Sequence, residues 1–345
     1  MSIQWFPGHM HSTRKAIAAR MKATDVVIEL LDARLPASSA NPLLSALAAE
    51  RAGVGRLMLL NKSDLADAAR TTHWLAHYNS RRDTCALALD ATHAPAQLRQ
   101  TLIDSCRALA PGRGGLAKPM RVLVCGVPNV GKSTFINTLS AKRQAKTGDE
   151  AGMTRLEQRI VLADDFYLWD TPGMLWPRID VPESGEWLAA SGAVGRNAFD
   201  EESVALALLA YLKRHYAEPL ASRFRIPAES TLAGADVAPG TAARAGVPPV
   251  PSVPASSGMA EIAAMADDAL LDAIGRRRGA LLPGARVDRQ KAAEIVLTEF
   301  RSGGLGRITL EIPDEFAAWT ATAAAAREAA EVRRQARKDQ RVPPR

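Results

Sequence analysis

The sequence predicts an α/β fold, with a mainly parallel sheet in the first part of the chain and a smaller, mostly helical domain after it. Short apolar runs, typical of strands buried on both faces, alternate in the first part with helical patterns. Each run leads directly into a polar loop, and one of these loops is glycine-rich and opens a helix. Helical patterns prevail later in the chain, apart from one stretch without periodicity.

The length and composition fit two domains with proper cores. The chain has 345 residues, of which 47% are hydrophobic and 23% are charged. We expect an N-terminal basic segment at 1–24, an α/β domain at 25–180, a mostly helical domain at 181–312 with a flexible insertion at 227–258, and a basic tail at 313–345. The insertion is rich in Ala, Pro, Gly and Ser and cannot bury enough apolar surface to order itself.

Several classes of protein are disfavoured by the composition. No apolar run reaches the length needed to span a bilayer, and the first ten residues lack the pattern of a signal peptide, so we expect a cytoplasmic enzyme. The three cysteines are widely spaced and lack a C-x-x-C pair, which argues against a disulfide framework or a zinc site. The formal net charge of +7 makes a nucleic-acid partner plausible.

The first strand is predicted at 25–31, a continuous run of β-branched residues and leucine after one aspartate and interrupted by one glutamate. It ends in Asp32, Ala33 and Arg34. Charged groups at this point lie at the carboxyl edge of a parallel sheet, where α/β proteins bind their ligands.

The second strand, at 57–60, runs into Asn61-Lys62-Ser63-Asp64, the N-K-x-D pattern by which GTPases recognise guanine. Asp64 would accept two hydrogen bonds from guanine, while Asn61 and the stem of Lys62 would brace the loop and cover the ring. Adenine presents the wrong donors and acceptors and would leave the carboxylate unpaired. The alternative is a polar helix cap, with Ser63 or Asp64 capping a helix from Leu65 onward.

The third strand is predicted at 85–89 and ends in Asp90-Ala91-Thr92. A GTPase places a weaker S-A-x loop here, which touches the base. The usual serine is absent, and we keep Leu89 and Asp90 as candidate base contacts. Surface helices are expected before and after this strand, at 67–83 and 95–109.

A phosphate-binding loop is the strongest motif of the chain. It runs from Gly126 to Thr134, follows an apolar run at 121–125 and opens a helical pattern. Its glycines let successive N–H groups point at a β-phosphate, and the helix adds its positive end. Lys132 would reach the β- and γ-phosphates and Ser133 would bind Mg²⁺; the candidate nucleotide contacts are Gly126, Asn129, Val130, Gly131, Lys132, Ser133 and Thr134. The alternative is a glycine-rich turn without a ligand.

Two further elements complete a GTPase site. Thr154, in the polar loop 147–155, is placed to supply a hydroxyl to Mg²⁺ and the γ-phosphate, although an ordinary loop threonine is the alternative. The strand at 166–169 delivers the D-x-x-G element, in which Asp170 would hold Mg²⁺ through water and the Gly173 N–H would sense the γ-phosphate.

The order of these motifs is unusual, because the guanine-reading loops precede the phosphate loop and the switches. Termini that lie close together allow such a rearrangement without loss of the site, so we predict a circularly permuted P-loop GTPase domain. The motifs resemble the YlqF/RbgA family of ribosome-assembly GTPases over about residues 4–226 and 259–312: F-P-G-H-M, D-A-R, N-K-S-D, G-V-P-N-V-G-K-S-T, T-G-D…G-M-T and D-T-P-G-M-L-W-P. The resemblance implies a GTP hydrolase that acts late in assembly of the large ribosomal subunit. Residues 227–258 depart from the family pattern.

Catalysis must differ from that of Ras-like enzymes, because the residue after D-x-x-G is Met174 and not a glutamine that orients water. Asn129 matches the position at which some GTPases hold a K⁺ ion. His9 is the second candidate, since a neutral imidazole can orient water and the family resemblance singles it out; a structural turn histidine is its alternative. We expect slow turnover by the isolated protein.

Beyond the sheet domain we expect helices at 184–226, from residue 259 and at 288–300, then a short strand at 307–312. From Arg327 the tail has seven Lys and Arg residues against three Asp and Glu residues, and it should add electrostatic affinity for RNA; a solvated helix is the alternative.

The leading functional hypothesis is a switch that uses GTP, GDP and Mg²⁺, with K⁺ as a further candidate, and that binds rRNA or a large-subunit precursor in its GTP form. A GTPase with a protein partner and a nucleotide-binding scaffold without catalysis are the alternatives. The missing lipidation motif weighs against a membrane-associated signalling role, and no DNA partner is expected.

Overall fold

A six-stranded sheet forms the centre of the first part of the chain. In the computed structural model, which describes residues 15–139 except 16 and 52, residues 158–226 except 177, and residues 262–339, the strand order is β3-β2-β1-β4-β6-β5. All neighbours are parallel except β5 and β6, which are antiparallel. The strands are β1 (Val26–Asp32), β2 (Gly55–Asn61), β3 (Thr84–Ala88), β4 (Met120–Gly126), β5 (Gln158–Ala163) and β6 (Phe166–Asp170). The predicted α/β fold with a mainly parallel sheet is confirmed.

The apolar runs form strands because both faces of the sheet are covered. Every residue of β1 is buried, and so are the last five residues of β2 and of β4. A parallel sheet needs such cover on both sides, which is why these strands show no polar alternation.

Helices connect the strands and begin at recognisable caps. They are α1 (Pro42–Ala49), α2 (Ala68–Asn79), α3 (Leu98–Leu109), α4 (Lys132–Leu139) and α5 (Pro182–Ser191). The cap of α2 is Asp67, whose carboxylate accepts a hydrogen bond from the Arg70 N–H at 3.0 Å. Residues 63–66 form turns before this cap, so the alternative in which Ser63 or Asp64 caps a helix from Leu65 is wrong.

In a second compact unit, Glu201–Gly306, the described residues form helices and one short hairpin. Its elements are α6 (Glu201–His215), α7 (Ala217–Phe224), α8 (Asp267–Arg277), β7 (Leu281–Leu282), β8 (Arg286–Val287) and α9 (Arg289–Ser302). The α6 side chains of Val204, Leu208, Leu209 and Leu212 are buried, while Leu206 is half-buried. The predicted insertion at 227–258 lies outside the described residues.

The chain returns to the sheet unit at Arg307. The strand predicted at 307–312 is wrong: these residues form no strand and pair with none of the strands that the structure describes. The Ile308 N–H donates to the Leu65 carbonyl and the Leu310 N–H to the Arg34 carbonyl, so the segment bonds to loops and not to a neighbouring ladder. The last helix, α10 (Pro313–Asp339), follows it. Within the described residues, no helix is both long enough and apolar enough to cross a bilayer.

Candidate functional site

The parallel strands bring the predicted motifs to one edge of the sheet. Asp32 at the end of β1 lies in register with Asn61 at the end of β2. Gly126 at the end of β4 pairs with Leu30 of β1, and Asp170 at the end of β6 pairs with Val124 of β4. The strands that lead into the D-A-R element, the N-K-S-D loop, the phosphate loop and the D-x-x-G element therefore end side by side, whatever their order along the chain.

The phosphate loop needs its two glycines for different reasons. Gly131 has a φ of +95°, and a Cβ there would lie only 2.3 Å from Asn61 Nδ2. A Cβ on Gly126 would lie 2.9 Å from Val130 Cγ1 and 3.0 Å from the Leu30 carbonyl oxygen. Gly131 permits the left-handed backbone, and Gly126 permits close packing of the loop on β1.

Asn61 joins three loops through its buried side chain. Its Nδ2 donates to the Val130 carbonyl in the phosphate loop at 2.8 Å. Its Oδ1 accepts from the Ala91 N–H in the loop after β3 at 3.0 Å. The N-K-S-D loop is thereby fixed relative to both the phosphate loop and the loop after β3.

Lys62 makes a second connection between the same two motifs. Its Nζ lies 2.8 Å from the Asn129 carbonyl oxygen and 2.8 Å from Asp32 Oδ2. Burial lowers the pKa of Lys62, although the Asp32 carboxylate beside it acts in the opposite direction. Burial would raise the pKa of Asp32, but the charges of Arg34 and Lys62 outweigh it and hold that pKa well below its usual range. The carboxylate of the D-A-R element therefore stays charged and orients Lys62.

Lys132 and Asp170 form a buried ion pair at the start of α4. Nζ of Lys132 lies 2.5 Å from Oδ1 of Asp170, and the two side chains are 6% and 1% exposed. Burial raises the pKa of Asp170, and the ammonium of Lys132 partly offsets this effect. The two groups expected to meet the phosphates and Mg²⁺ thus contact each other directly. Ser133 and Thr134 follow in the first turn of α4, both half-buried.

The expected base-side residues also lie together. Asp64 is exposed, and the Ser63 N–H donates to the Leu89 carbonyl at 3.1 Å. The Leu89 side chain is buried. The Asp90 carboxylate accepts hydrogen bonds from the N–H groups of Thr92 and His93, so its oxygens serve its own turn. Contact of Leu89 or Asp90 with a base stays a prediction.

The D-x-x-G segment passes close to the phosphate loop. A Cβ on Gly173 would lie 3.1 Å from the Cα of Pro128, and the Met174 N–H donates to the Gly126 carbonyl at 3.2 Å. The Met174 side chain is buried in a cluster with Ile17 and Met21, inside the hydrophobic core. It is therefore placed for packing and not for orienting water.

The four candidate catalytic residues are Gly173, described above, and Asn129, His9 and Thr154. Asn129 has a φ of +58°, and its Nδ2 donates to the Gly192 carbonyl at 2.8 Å. His9 and Thr154 lie outside the described residues. Sequence reasoning missed Arg307, which also lies at this edge. Its guanidinium contacts the carbonyls of Ser63 and Ala66. No local pattern could reveal it, because it lies 241 residues from Ala66 and its guanidinium donates to backbone carbonyls.

The chain is similar to a family of ribosome-binding GTPases and to proteins named as ribosome biogenesis GTPases. A family model described as 50S ribosome-binding GTPase matches residues 121–218. The chain is 35% identical over 323 residues to "Ribosome biogenesis GTPase A" of Bacillus cereus, covering 92% of this chain and 96% of the relative. It is 36% identical over 326 residues to the protein of that name from Priestia megaterium, covering 91% and 98%.

Solved structures share the fold. YlqF from T. maritima in its GNP-bound form has a TM-score of 0.54 at 21% identity, covering 88% of this chain and 99% of that chain. The GDP-bound form of YlqF has a TM-score of 0.55 at 21% identity, covering 87% and 99%. These likenesses support the same arrangement of strands and helices.

Proposed function

Since the chain belongs to the ribosome biogenesis GTPase A family of GTP hydrolases, we propose that it is a molecular switch in late assembly of the large ribosomal subunit. In its GTP form it binds rRNA or a precursor particle, and hydrolysis releases it. The observation that carries the nucleotide part is the double connection of the N-K-S-D loop to the phosphate loop through Asn61 and Lys62. The ribosomal part is supported by the names of the relatives and by a net charge of +7.

Guanine selectivity rests on Asp64. Asp64 is the last residue of the N-K-S-D loop, in which hydrogen bonds fix the side chains of Asn61 and Lys62. Its own carboxylate is exposed at the carboxyl edge of the sheet. A carboxylate accepts from the ring N–H and the exocyclic amine of guanine at the same time. An adenine offers no such pair of donors, and the carboxylate would stay unpaired under the ring.

The phosphates and Mg²⁺ fit the chemistry of the residues at α4 and β6. Lys132 would bind the β- and γ-phosphates, and Ser133, Thr154 and Asp170 would hold Mg²⁺ directly or through water, an oxygen donor set that suits this ion. The buried ammonium and carboxylate now paired with each other are each matched to one of these ligands. Bound Mg²⁺ would neutralise negative charge on the phosphates.

Hydrolysis requires a water aligned with the γ-phosphorus. The water oxygen bonds to that phosphorus, the bond from it to the β–γ bridging oxygen breaks, GDP keeps the electron pair of that bond, and the protons of the water stay with the inorganic phosphate. The Gly173 N–H and the Thr154 hydroxyl are proposed to sense the γ-phosphate, Asn129 to hold K⁺, and His9 to orient the water. Met174 takes no part, since its side chain lies in the core.

Subunit-stimulated hydrolysis tests this proposal. GTP turnover by the isolated protein should be slow, faster in K⁺ than in Na⁺, and accelerated by large ribosomal subunits. A His9→Ala variant should lose stimulated kcat while its affinity for nucleotide is unchanged. Equal rates in K⁺ and Na⁺ would remove Asn129 from its role, and a wild-type stimulated rate in His9→Ala would remove His9. An absence of any stimulation by large subunits would contradict the proposed switch.

A further inference from the structure

A short segment near the C-terminus lies against the guanine-side loops. We call residues 307–311 the C-terminal strap. It follows the second unit along the chain and belongs to the sheet unit, where it crosses the loops after β1 and β2. Its residues after Arg307 are buried. The segment therefore lies beside the N-K-S-D loop, at the carboxyl edge of the sheet.

Arg307 holds the turn that contains Asp64. Its Nε donates to the Ala66 carbonyl at 2.8 Å, and its Nη2 donates to the Ser63 carbonyl at 3.1 Å. The two acceptors flank Asp64 and Leu65, and the Leu65 carbonyl accepts from the Ile308 N–H at 3.0 Å. Three carbonyls of this turn therefore point at the strap. Hydrogen bonds from a charged guanidinium are stronger than neutral ones, and its planar fork matches two acceptors at once.

The strap is itself anchored on the neighbouring loop and on α2. Thr309 Oγ1 accepts from the Asp67 N–H at 3.1 Å and donates to the Ala33 carbonyl at 3.1 Å. Arg70 Nη1 donates to the Thr309 carbonyl at 2.7 Å, and Trp74 Nε1 donates to the Glu311 carbonyl at 3.0 Å. Arg307 thus reaches the turn from a support that is fixed on two sides.

The turn gains most of its order from outside. Within it, the Leu65 N–H donates to the Lys62 carbonyl at 3.0 Å, and the Ala66 N–H reaches the Ser63 carbonyl only at 3.4 Å. Asp64, at its exposed corner, must hold one orientation to accept two hydrogen bonds from a guanine. A turn held in the bound arrangement in advance spares that ordering cost when nucleotide binds.

We propose that Arg307 is a positioning residue for guanine nucleotide, which acts by holding the backbone of residues 63–66 so that the Asp64 carboxylate faces the base. This inference rests on the proposed role of Asp64. It assigns to the C-terminal strap a part in nucleotide affinity, which the strap exerts through the backbone carbonyls of Ser63, Leu65 and Ala66.

The test compares Arg307→Ala, Arg307→Lys and, as a matched control, Arg333→Ala on the exposed surface of α10. A fluorescent GDP analogue gives Kd and the dissociation rate, and steady-state hydrolysis gives KM and kcat for GTP. We expect Arg307→Ala to weaken GDP binding about 10-fold, or about 1.4 kcal/mol, mainly through faster dissociation. KM should rise with kcat at saturating GTP unchanged. Arg307→Lys should give an intermediate Kd, because an ammonium can replace one of the two bonds, and Arg333→Ala should bind as wild type.

Two results would overturn the inference. One is a wild-type Kd for Arg307→Ala; the other is a fall in kcat with Kd unchanged, which would place the effect in the chemical step. If Arg307→Ala does not fold, Arg307→Lys decides, since an intermediate Kd supports the inference and a wild-type Kd overturns it. Asp64→Asn tested with GDP and xanthosine diphosphate separates this from the proposed function: if that variant does not exchange its preference, the base pocket is misplaced, whereas an exchanged preference beside a wild-type Arg307→Ala defeats only the strap.

Discussion

Asn61 and Lys62 connect motifs that lie far apart in the chain, because both side chains donate hydrogen bonds to the phosphate loop. Asn61 is 2% exposed and satisfies both the Val130 carbonyl and the Ala91 N–H. Its truncation would leave two buried backbone groups unpaired, at a cost of roughly 1–3 kcal/mol each. The N-K-S-D loop and the phosphate loop would then no longer be held at a fixed separation, and under the proposed function we expect nucleotide binding to weaken.

Asp64→Asn should exchange the base preference of the enzyme. An asparagine amide offers one acceptor and one donor in place of two acceptors, which matches xanthine and not guanine. Loss of a hydrogen bond to a charged group should weaken GDP binding by about 10- to 100-fold. Competition between GDP and xanthosine diphosphate measures this directly. Asp83→Asn, the same change at an exposed position just before β3, is the control and should leave the preference intact; unchanged GDP affinity in Asp64→Asn would refute the assignment.

Glu311 makes the stability of the sheet unit depend on pH. Its buried carboxyl group lies 2.9 Å from the Ser38 N–H and also accepts from the Ala37 N–H. Burial raises its pKa to about 7, and the nearby charge of Glu315 acts in the same direction. The fold thus favours the protonated form, so its stabilisation is complete below about pH 4.5 and is lost as the pH rises through 7.

Glu311→Gln should remove this pH dependence, because an uncharged amide resembles the protonated acid. Relative to wild type, the free energy of unfolding of the variant should rise by about 3 kcal/mol between pH 4.5 and pH 8. Urea denaturation followed by tryptophan fluorescence measures the difference at each pH. Parallel profiles for the two proteins would show that Glu311 does not titrate in this range.

At the scale of elements, sequence patterns predicted the strands and helices that depend on residues close together in the chain. Apolar runs ending in polar loops located the strands, and the phosphate loop predicted the helix that follows it, which is α4. The strand expected at 307–312 failed for a physical reason: residues 308–311 are buried against loops, and a sequence cannot distinguish such burial from burial in a sheet. The bonds of Arg307 escaped prediction because their acceptors are backbone carbonyls, which every residue carries.

The phosphate loop should tolerate no side chain at its last glycine. Gly131→Ala would place a Cβ 2.3 Å from Asn61 Nδ2 in a left-handed backbone that costs a non-glycine residue roughly 1–2 kcal/mol. The loop must move away from Asn61, and we expect GDP affinity to fall more than about 10-fold. Gly112→Ala, where a Cβ meets no atom within 4 Å, should bind as wild type. Equal affinities in a fluorescent GDP titration would mean that the loop does not need this geometry.

At the scale of the whole molecule, the permuted chain keeps the site intact because the sheet does not depend on chain order. Strands β2 and β3 carry the base-side loops before the phosphate loop is reached, yet β1 lies directly beside β4. The resemblance to the YlqF/RbgA family, drawn from the motifs, is confirmed by relatives that match over nine-tenths of the chain. The rRNA partner and the GTP-dependent step are properties of a complex, which neither a motif nor a single chain can specify.

The charge of the chain is concentrated where a partner can reach it. Helix α10 continues for 27 residues, and the arginines of its second half that the structure describes are exposed at positions 327, 333, 334 and 337. The sequence from Arg327 carries a net charge of +4 out of +7. Such a helix suits a polyanion, and its contribution should fall as salt screens the phosphates.

Co-sedimentation with large ribosomal subunits tests the central claim most directly. The wild-type protein is incubated with subunits in the presence of a non-hydrolysable GTP analogue, GDP or no nucleotide, and the pellet is assayed. We predict that the protein sediments with large subunits in the analogue and is largely released in GDP, with Asp64→Asn showing this switch only for the xanthosine nucleotides. Equal binding in the analogue and in GDP, or binding to small subunits alone, would contradict a GTP-controlled role in large-subunit assembly.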